Sequence, residues 1–495
     1  MSQHFPVLLA ILPLCAALLS PLFSYFSKNA GKWLVITSLG AAFLCSVSVL
    51  ITVLDSGTIH YWMGNWPPPF GIEFVLDPLN ATLAVLVLFV SFMVSIYGGP
   101  FFKNESWLKV GGYYTLYALL TTGLVGMVVT GDVFNLYVFL EISSLAGYGL
   151  IALGGKRSTL AAFRYLLIGT IGASLYLLGV GYLYGITGTL NMADMTARII
   201  PLLDSPATYL AIGLFVVGFG IKMALFPLHG WQPDAYTYSH PAAAALIAGI
   251  MGKVPAYAIL RFFFYVFGAT SFAVGRALEV MGILACAGII LGSVMAIAQK
   301  DFRRMLAYSS VAQIGYVVVG LAIGNVYGLI GAILHIINHA FMKSTLFLVI
   351  GGIQYRFGET NINKFGMLCK KMPFTMLAFA IAAISMVGLP PTAGFFSKWY
   401  LVLGAMETEQ YIYIAIIIIS SLLNAVYFFR IIENVFMRPD EGLKEINKPK
   451  GKMELPWQML LPILVLGLGI LVLGICNATI VTDILHLALP EVVLR

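Results

Sequence analysis

Runs of about 20 apolar residues, separated by short polar breaks, recur along almost the whole chain. A bilayer core about 30 Å thick is crossed by about 20 residues of helix. On that ruler the pattern predicts fourteen spanning helices: 5–26, 33–54, 78–99, 113–130, 132–153, 161–185, 208–226, 241–264, 275–298, 305–323, 327–354, 374–404, 411–437 and 456–476. The first apolar run lacks a basic leader and is too long for a signal-peptide core, so it reads as a span. The fourth and fifth spans share a tight turn at Gly131. The loop between Asp55 and Asp77 has no Lys or Arg, contains NWPPPFGIEF, and is expected to form a short outer hairpin. The stretch from Arg438 to Glu454 is charged and reads as a loop or surface helix on the other side.

Two stretches break the apolar pattern in the same way. From Leu214 the chain reads LFVVGFGIKMALFPLHGWQPDAYTYSHPAAAALIAGIMGKVPAYAILR, with Lys222 before a break at Pro227 and Lys253 after the restart near Pro241. From Pro373 it reads PFTMLAFAIAAISMVGLPPTAGFFSKWYLVL, with a break at Pro390 and Pro391 followed by Lys398. Proline removes a helix donor and clashes with the preceding turn. Carbonyls freed at membrane depth are tolerated only against protein or water. The spans preceding the two breaks also align, Gly181 over Gly352 and Tyr184 over Tyr355. EISSLAGYG from Glu141 sets beside AYSSVAQIGY from Ala307. Two units of five spans follow, and because five is odd the second enters from the opposite side, as in inverted-repeat transporters. The expected organisation is a three-helix segment with an outer loop at 1–110, a first five-helix repeat at 111–265, a second at 266–437, and an inner loop with a last helix at 438–495.

Composition agrees with an all-α polytopic membrane protein: 60% of residues are hydrophobic and only 10% charged. The net charge of +7 would suit a nucleic-acid binder, but most of the 28 Lys and Arg fall in alternate loops on one side. That is the positive-inside pattern, and it places both termini outside. Five scattered cysteines with no CxxC pair imply neither a disulfide framework nor a zinc site.

The candidate chemistry lies in the charges that interrupt the spans. A cation in hydrocarbon costs about 2.5–3.5 kcal/mol on insertion scales. Glu141 is a mid-span carboxylate, and Lys222 is its natural partner; a static ion pair is the structural alternative. Lys222, Lys253 and Lys398 can exchange protons where arginine would not; snorkelling to an interface is the alternative for Lys222 and Lys398. His335, His339 and Lys343 recur at i, i+4, i+8, on one helix face, about 6 Å apart along the axis. With bridging water they suit a lateral proton wire between the two breaks. Zinc at the two histidines would need a third ligand, and the pattern offers none. His229, Asp234 and His240 flank the turn after the first break and could funnel protons from the inner side, or be structural. Arg430 and Glu433 share a helix turn and are expected to pair.

LEISSLAGYGLI, KMALFPLHGWQPDAY, KDFRRMLAYSSVAQIGY, HIINHAFMKSTLFL and GLPPTAGFFSKW together resemble the antiporter-like membrane subunits of proton-pumping NADH dehydrogenases, related hydrogenases and Mrp-type Na+/H+ antiporters. The resemblance spans roughly residues 70–440 and is closest to the D-type branch of the Mrp antiporter subunits, on length, on NWPPPFGIEFVLDPLNA and on NLYVFLEISSLAGYGL. Lys398 also favours it, since the nearest NADH-dehydrogenase relatives typically carry glutamate there. The resemblance implies that Glu141 pairs with Lys222, that Lys253 connects, that His335 and His339 lie on a central polar axis, and that Lys398 is its distal lysine. QPDAYTYSHP departs from the family pattern at His240.

The expected function is a proton-translocating subunit of a multisubunit Na+/H+ antiporter in a bacterial cytoplasmic membrane: a secondary transporter subunit rather than an enzyme, without cofactors. Its expected partners are the other antiporter subunits, membrane lipid, H+ and Na+. The alternative is a membrane-arm subunit of an NADH:quinone oxidoreductase or hydrogenase, driven by redox chemistry in its partners. A solute carrier would need a substrate cavity and fewer aligned lysines, and a scaffold would not need so many buried charges.

Overall fold

Hydrophobicity and caps together set the element boundaries. The computed structural model describes residues 4–268, 271–439, 443 and 454–490. Within them the chain forms α1 (Phe5–Phe26), α2 (Ala30–Ser56), a hairpin of β1 (Ile59–Trp62) and β2 (Glu73–Leu76), α3 (Pro78–Tyr97), α4 (Trp107–Val129), α5 (Val133–Ala152), α6 (Lys156–Thr187) and the short α7 (Met192–Ile199). Next come α8 (Pro206–Met223) and α9 (Gln232–Tyr238), then α10 (Pro241–Val266), α11 (Phe272–Ile297), α12 (Phe302–Ile323) and α13 (Val326–Phe357). The half-helices α14 (Pro373–Val387) and α15 (Ala393–Glu407) precede α16 (Tyr411–Phe436) and α17 (Trp457–Ile475). Thirteen of these helices are long and apolar enough to cross a membrane, and α14 with α15 makes the remaining interrupted span. Thirteen of the fourteen predicted spans are thus single long helices, the interrupted twelfth is divided between α14 and α15, and α4 and α5 are distinct helices.

Side chains stop and start the helices where the sequence places caps. Asp77 and Asn80 form a reciprocal capping box at α3. Asp132 accepts from the Asn135 N–H at 2.6 Å, Asp301 from the Arg304 N–H at 2.9 Å, and Asn325 from the Gly328 N–H at 2.8 Å. These bonds satisfy donors that a helix start leaves unpaired inside an apolar environment. The 32-residue helices α6 and α13 both end on a left-handed glycine, Gly188 and Gly358.

The expected hairpin is present and pairs Ile59 with Leu76 through Trp62 with Glu73, antiparallel. It is pinned on the α4–α5 turn, where the Gly131 N–H donates to Glu73 O at 3.0 Å. A Cβ at Gly131 would meet Val75 Cγ2 at 2.7 Å, so only glycine permits this approach. Buried Glu73 takes the Asn191 amide at 2.7 Å and faces His60 Nδ1 at 3.2 Å.

Burial separates central from peripheral helices. The apolar windows of α10 and α13 are wholly buried, whereas only a third of those of α2 and α16 are. The two central helices therefore face protein on all sides, and α2 and α16 present apolar surface outward.

Two loop junctions share one hydrogen-bond pattern. At the first, Val133 N–H donates to Leu190 O and Met192 N–H to Gly131 O, closing a bridge between Asp132 and Asn191. At the second, Phe302 N–H donates to Thr360 O and Ile362 N–H to Lys300 O, closing a bridge between Asp301 and Asn361. The expected Arg430–Glu433 pair does not form. Arg430 donates to Ile297 O at 3.0 Å and Gln299 O at 2.7 Å, and Glu433 instead pairs with Arg438 at 3.2 Å. The carbonyls left at the end of α11 compete successfully for a fork of parallel donors. Most of the expected charged loop, from 440 to 453, lies outside the described residues.

Candidate functional site

The first break falls between α8 and α9. Lys222 stands in the last turn of α8 and is 3% exposed, and the chain then turns through Ala224 at a φ of 61°. Trp231 secures the far side: its indole N–H donates to Ile221 O at 2.8 Å, and its ring stacks on Tyr165 at a 3.6 Å centroid distance. A carbonyl freed by the break is thus taken by protein rather than left in an apolar interior.

Glu141, Ser144 and Tyr148 follow one another on a single face of α5, at i, i+3 and i+7. The Lys222 ammonium donates to Ser144 Oγ at 2.7 Å and lies 3.3 Å from Tyr148 Oη. It makes no ion pair with Glu141, whose Oε1 is buried and has no hydrogen-bond partner. The carboxylate still acts on Lys222 electrostatically. The expected pair is therefore near but open, with the lysine held by two hydroxyls further along the same helix face.

Lys253 lies in α10, just after a widened turn at Ile247–Met251, where the helix relaxes to π geometry. Its ammonium donates to Ala248 O. A void of about 10 Å³ beside it is walled mainly by apolar side chains such as Leu83, Val128 and Ile336. A similar void of about 10 Å³ beside Lys222 is walled by Ser144, Tyr165, Met251 and Pro255. Each is near the lower limit of space for one water.

The buried helix α13 carries His335, His339 and Lys343, each 0% exposed. Lys343 donates to Leu306 O at 2.8 Å and to Ser309 Oγ, both from α12. His339 and His335 stack at 5.8 Å between ring centroids. His335 Nδ1 meets Ser397 Oγ of α15 at 3.0 Å. Lys398 lies on the His335 side of this row and Lys343 on the His339 side, with Lys253 facing both histidines, so from Lys343 through His339 and His335 to Lys398 the spatial order runs against the sequence order along α13.

The second break places Lys398 in α15 against the end of α14. Its ammonium, on a residue 6% exposed, donates to Met386 O at 3.1 Å, Val387 O at 2.9 Å and Ser421 Oγ at 3.0 Å. These carbonyls end the half-helix, where the backbone dipole favours a cation. Gly388, at a φ of 91°, turns the chain there, and a Cβ would come within 3.1 Å of Lys398 Cδ. Asn338 of α13 donates to Ala393 O at 2.6 Å across the break. Lys398 therefore points into the protein and does not snorkel.

Sequence reasoning missed several members of this axis. Gln313 and Tyr316 of α12 carry buried polar atoms with no hydrogen-bond partner, as do His335 Nε2 and both ring nitrogens of His339. The Tyr316 ring lies 5.2 Å from His335 and 5.1 Å from the Lys398 ammonium. A glutamine and a tyrosine within the apolar span AYSSVAQIGY were the available signal. Unpartnered polar atoms clustered in a dry interior are costly unless something polar reaches them.

The three inlet candidates do not converge. His229 stacks on Phe226 at the first break. Asp234 is held by Arg164 at 3.0 Å and Arg304 at 3.5 Å. His240 caps α10 and stacks on Phe102 at 5.0 Å, beside Phe101. Burial, then the charges of Arg303 and Lys109, lower the His240 imidazole to about 4. Among the described residues no three His, Cys, Asp or Glu side chains are placed to hold a metal.

Residues 130–424 match the family described as NADH:quinone oxidoreductase/Mrp antiporter, TM. The chain is 50% identical to the NADH-quinone oxidoreductase subunit N of Desulforudis audaxviator, over 99% of each protein. It is 35% identical to a D-type Na(+)/H(+) antiporter subunit of Alkalihalophilus pseudofirmus, over 83% of each. Among solved structures, a chain of the Mrp complex from Dietzia sp. superposes with a TM-score of 0.88 at 25% identity, over 99% of this chain and 97% of that one.

Proposed function

The chain belongs to the NADH:quinone oxidoreductase/Mrp antiporter membrane family, and we propose that it is the proton-translocating subunit of a multisubunit Na+/H+ antiporter in a bacterial cytoplasmic membrane, its basic loops facing the cytoplasm. The observation that carries this reading is the row of buried lysines. Lys222, Lys253, Lys343 and Lys398 are each at most 6% exposed, and none makes an ion pair among the described residues. Neutral hydroxyls and carbonyls hold all four. Such an arrangement is costly as packing and suited to groups that gain and lose protons.

In this reading Glu141 and Lys222 form a switch. Opposite charges about 4 Å apart attract by about 4 kcal/mol at an effective dielectric of 20. Moving the Lys222 ammonium between the Ser144–Tyr148 hydroxyls and Glu141 therefore changes the field felt by the next lysine. Protons pass along Lys253, Lys343, His339 and His335 to Lys398, with Gln313, Tyr316 and Ser397 ordering the intervening water. The partners are the other antiporter subunits, with membrane lipid around the complex and Na+ and H+ as the transported ions.

Inverted repeats at 111–265 and 266–437 accord with this scheme. Their support is the matching junctions Asp132–Asn191 and Asp301–Asn361, each joining the second helix of a unit to the end of its third. Counted from these capping aspartates, Glu141 corresponds to Ser310, one turn away from the register of the SS motif.

A second reading rests on the 50% identity to a protein named as an NADH-quinone oxidoreductase subunit. Redox chemistry in partner subunits would then drive the same path. Inverted vesicles carrying this chain with its neighbouring genes, in antiporter-null cells, separate the two. With a respiratory proton gradient established, sodium addition should collapse it in wild type and not in Lys222→Ala. Proton pumping that requires NADH or hydrogen oxidation, with no response to sodium, would establish the second reading instead.

A further inference from the structure

Three arginines converge on a cleft that the proton path does not use. Arg157 and Arg164 come from the first turns of α6, and Arg304 from the first turn of α12. Asp234 and Tyr238 of α9 complete the wall, around a volume of about 320 Å³. Among the described residues Asp234 is the only carboxylate lining it, and it faces both Arg164 and Arg304. Arg157 makes no ion pair among the described residues; its guanidinium lies 5.9 Å from the Tyr238 ring. The lining thus carries an excess of two positive charges at the basic-loop face.

We propose that this cleft binds the phosphodiester headgroup of an anionic phospholipid. Planar guanidinium forks match phosphate oxygens in geometry and charge. Basic pockets between helices at the cytoplasmic surface are where anionic headgroups dock. A lipid is favoured over free phosphate because the cleft opens onto an apolar stripe. Leu160, which lines the cleft, and Phe163 and Leu167 of α6 are 53%, 56% and 49% exposed and form an apolar strip alongside Arg157 and Arg164. Headgroup in the cleft and acyl chain on the stripe satisfy both surfaces at once. The same headgroup would clamp α9 between α6 and α12, and α9 is the element that resumes the chain after Lys222.

The test uses the intact complex, purified and exchanged into phosphatidylcholine with a fraction of phosphatidylglycerol, with retained phosphatidylglycerol counted by native mass spectrometry. Wild type and the remote control Arg438→Gln should retain it equally. Arg157→Gln should retain about fivefold less, and Arg157→Gln/Arg304→Gln roughly 25-fold less, at about one factor of five per arginine. The single Arg157→Gln removes no ion pair, so its retention reads the site even if the double variant fails to assemble. Undiminished retention in Arg157→Gln would overturn the proposal. Displacement of the lipid by millimolar inorganic phosphate would reassign the cleft to free phosphate. A photo-crosslinker at Leu160 that captures a partner polypeptide in place of lipid would reassign it to a subunit interface.

Discussion

Lys222 Nζ sits 2.7 Å from Ser144 Oγ, while Glu141, one turn back on the same helix, keeps a buried carboxylate oxygen without a hydrogen bond. The lysine thus has two sets of acceptors on one face of α5, one neutral and one charged. The proposed switch would exchange the ammonium between these two sets.

Removing the neutral acceptors should bias the switch without abolishing it. Hydrogen bonds to charged groups are worth about 1.5–3 kcal/mol. Ser144→Ala with Tyr148→Phe is therefore expected to lower sodium-dependent antiport roughly tenfold, with the protein still inserted. Glu141→Gln, which removes the charged alternative, should reduce it at least as far. Dye dequenching in inverted vesicles measures both. Antiport at the wild-type rate in both variants would remove Lys222 exchange from the mechanism.

Lys398→Arg tests proton release against charge alone. Arginine keeps a cation beside the Met386 and Val387 carbonyls but does not give up its proton. Assembly of the complex should persist while antiport falls to the level of Lys398→Ala. Near-normal transport in Lys398→Arg would leave the lysine a structural role only.

Trp231 should matter for stability before transport. Trp231→Phe keeps a ring against Tyr165 and loses the bond to Ile221 O, at a cost of about 1 kcal/mol. Trp231→Ala loses the packing as well and should cost about 3–5 kcal/mol. Thermal unfolding of the detergent-purified protein should rank wild type above Phe above Ala. Equal unfolding temperatures for the Phe and Ala variants would show that the ring contributes nothing at the break.

His240 gives a pH test with a defined sign. Its folded value of about 4 lies below the usual histidine range near 6.5, through burial and the charges of Arg303 and Lys109. The unfolded chain then binds more protons between those values, so stability is full above about 6.5 and falls as pH drops towards 4. His240 Nδ1 also accepts the Ala242 N–H at 3.3 Å, which requires the neutral ring. His240→Gln should flatten the loss of thermal stability below pH 6.5 and leave the antiport pH profile above pH 7 unchanged. A shifted profile above pH 7 would place His240 on the proton path.

Hydrophobic runs determined the number and order of the spans, because a segment in lipid must be apolar over a fixed length whatever its neighbours. Prolines marked both breaks, because lost backbone donors are a local property of the chain. Charges within spans marked Glu141, Lys222, Lys253, His335, His339, Lys343 and Lys398 as a set, because each is expensive in hydrocarbon. None of this fixed which atoms meet. Lys222 reaches Ser144 across 78 positions of sequence, and Arg430 takes carbonyls of α11 instead of Glu433, one turn away. His229 and His240 look close along the chain yet contact different segments, Phe226 at the break and Phe101 with Phe102, because α9 carries the backbone between them. Gln313, Tyr316 and Ser397 joined the axis only once α12, α13 and α15 were packed around it. Partner choice among several acceptors depends on rotamers and distances set by the packing of distant segments, and that only the tertiary structure decided.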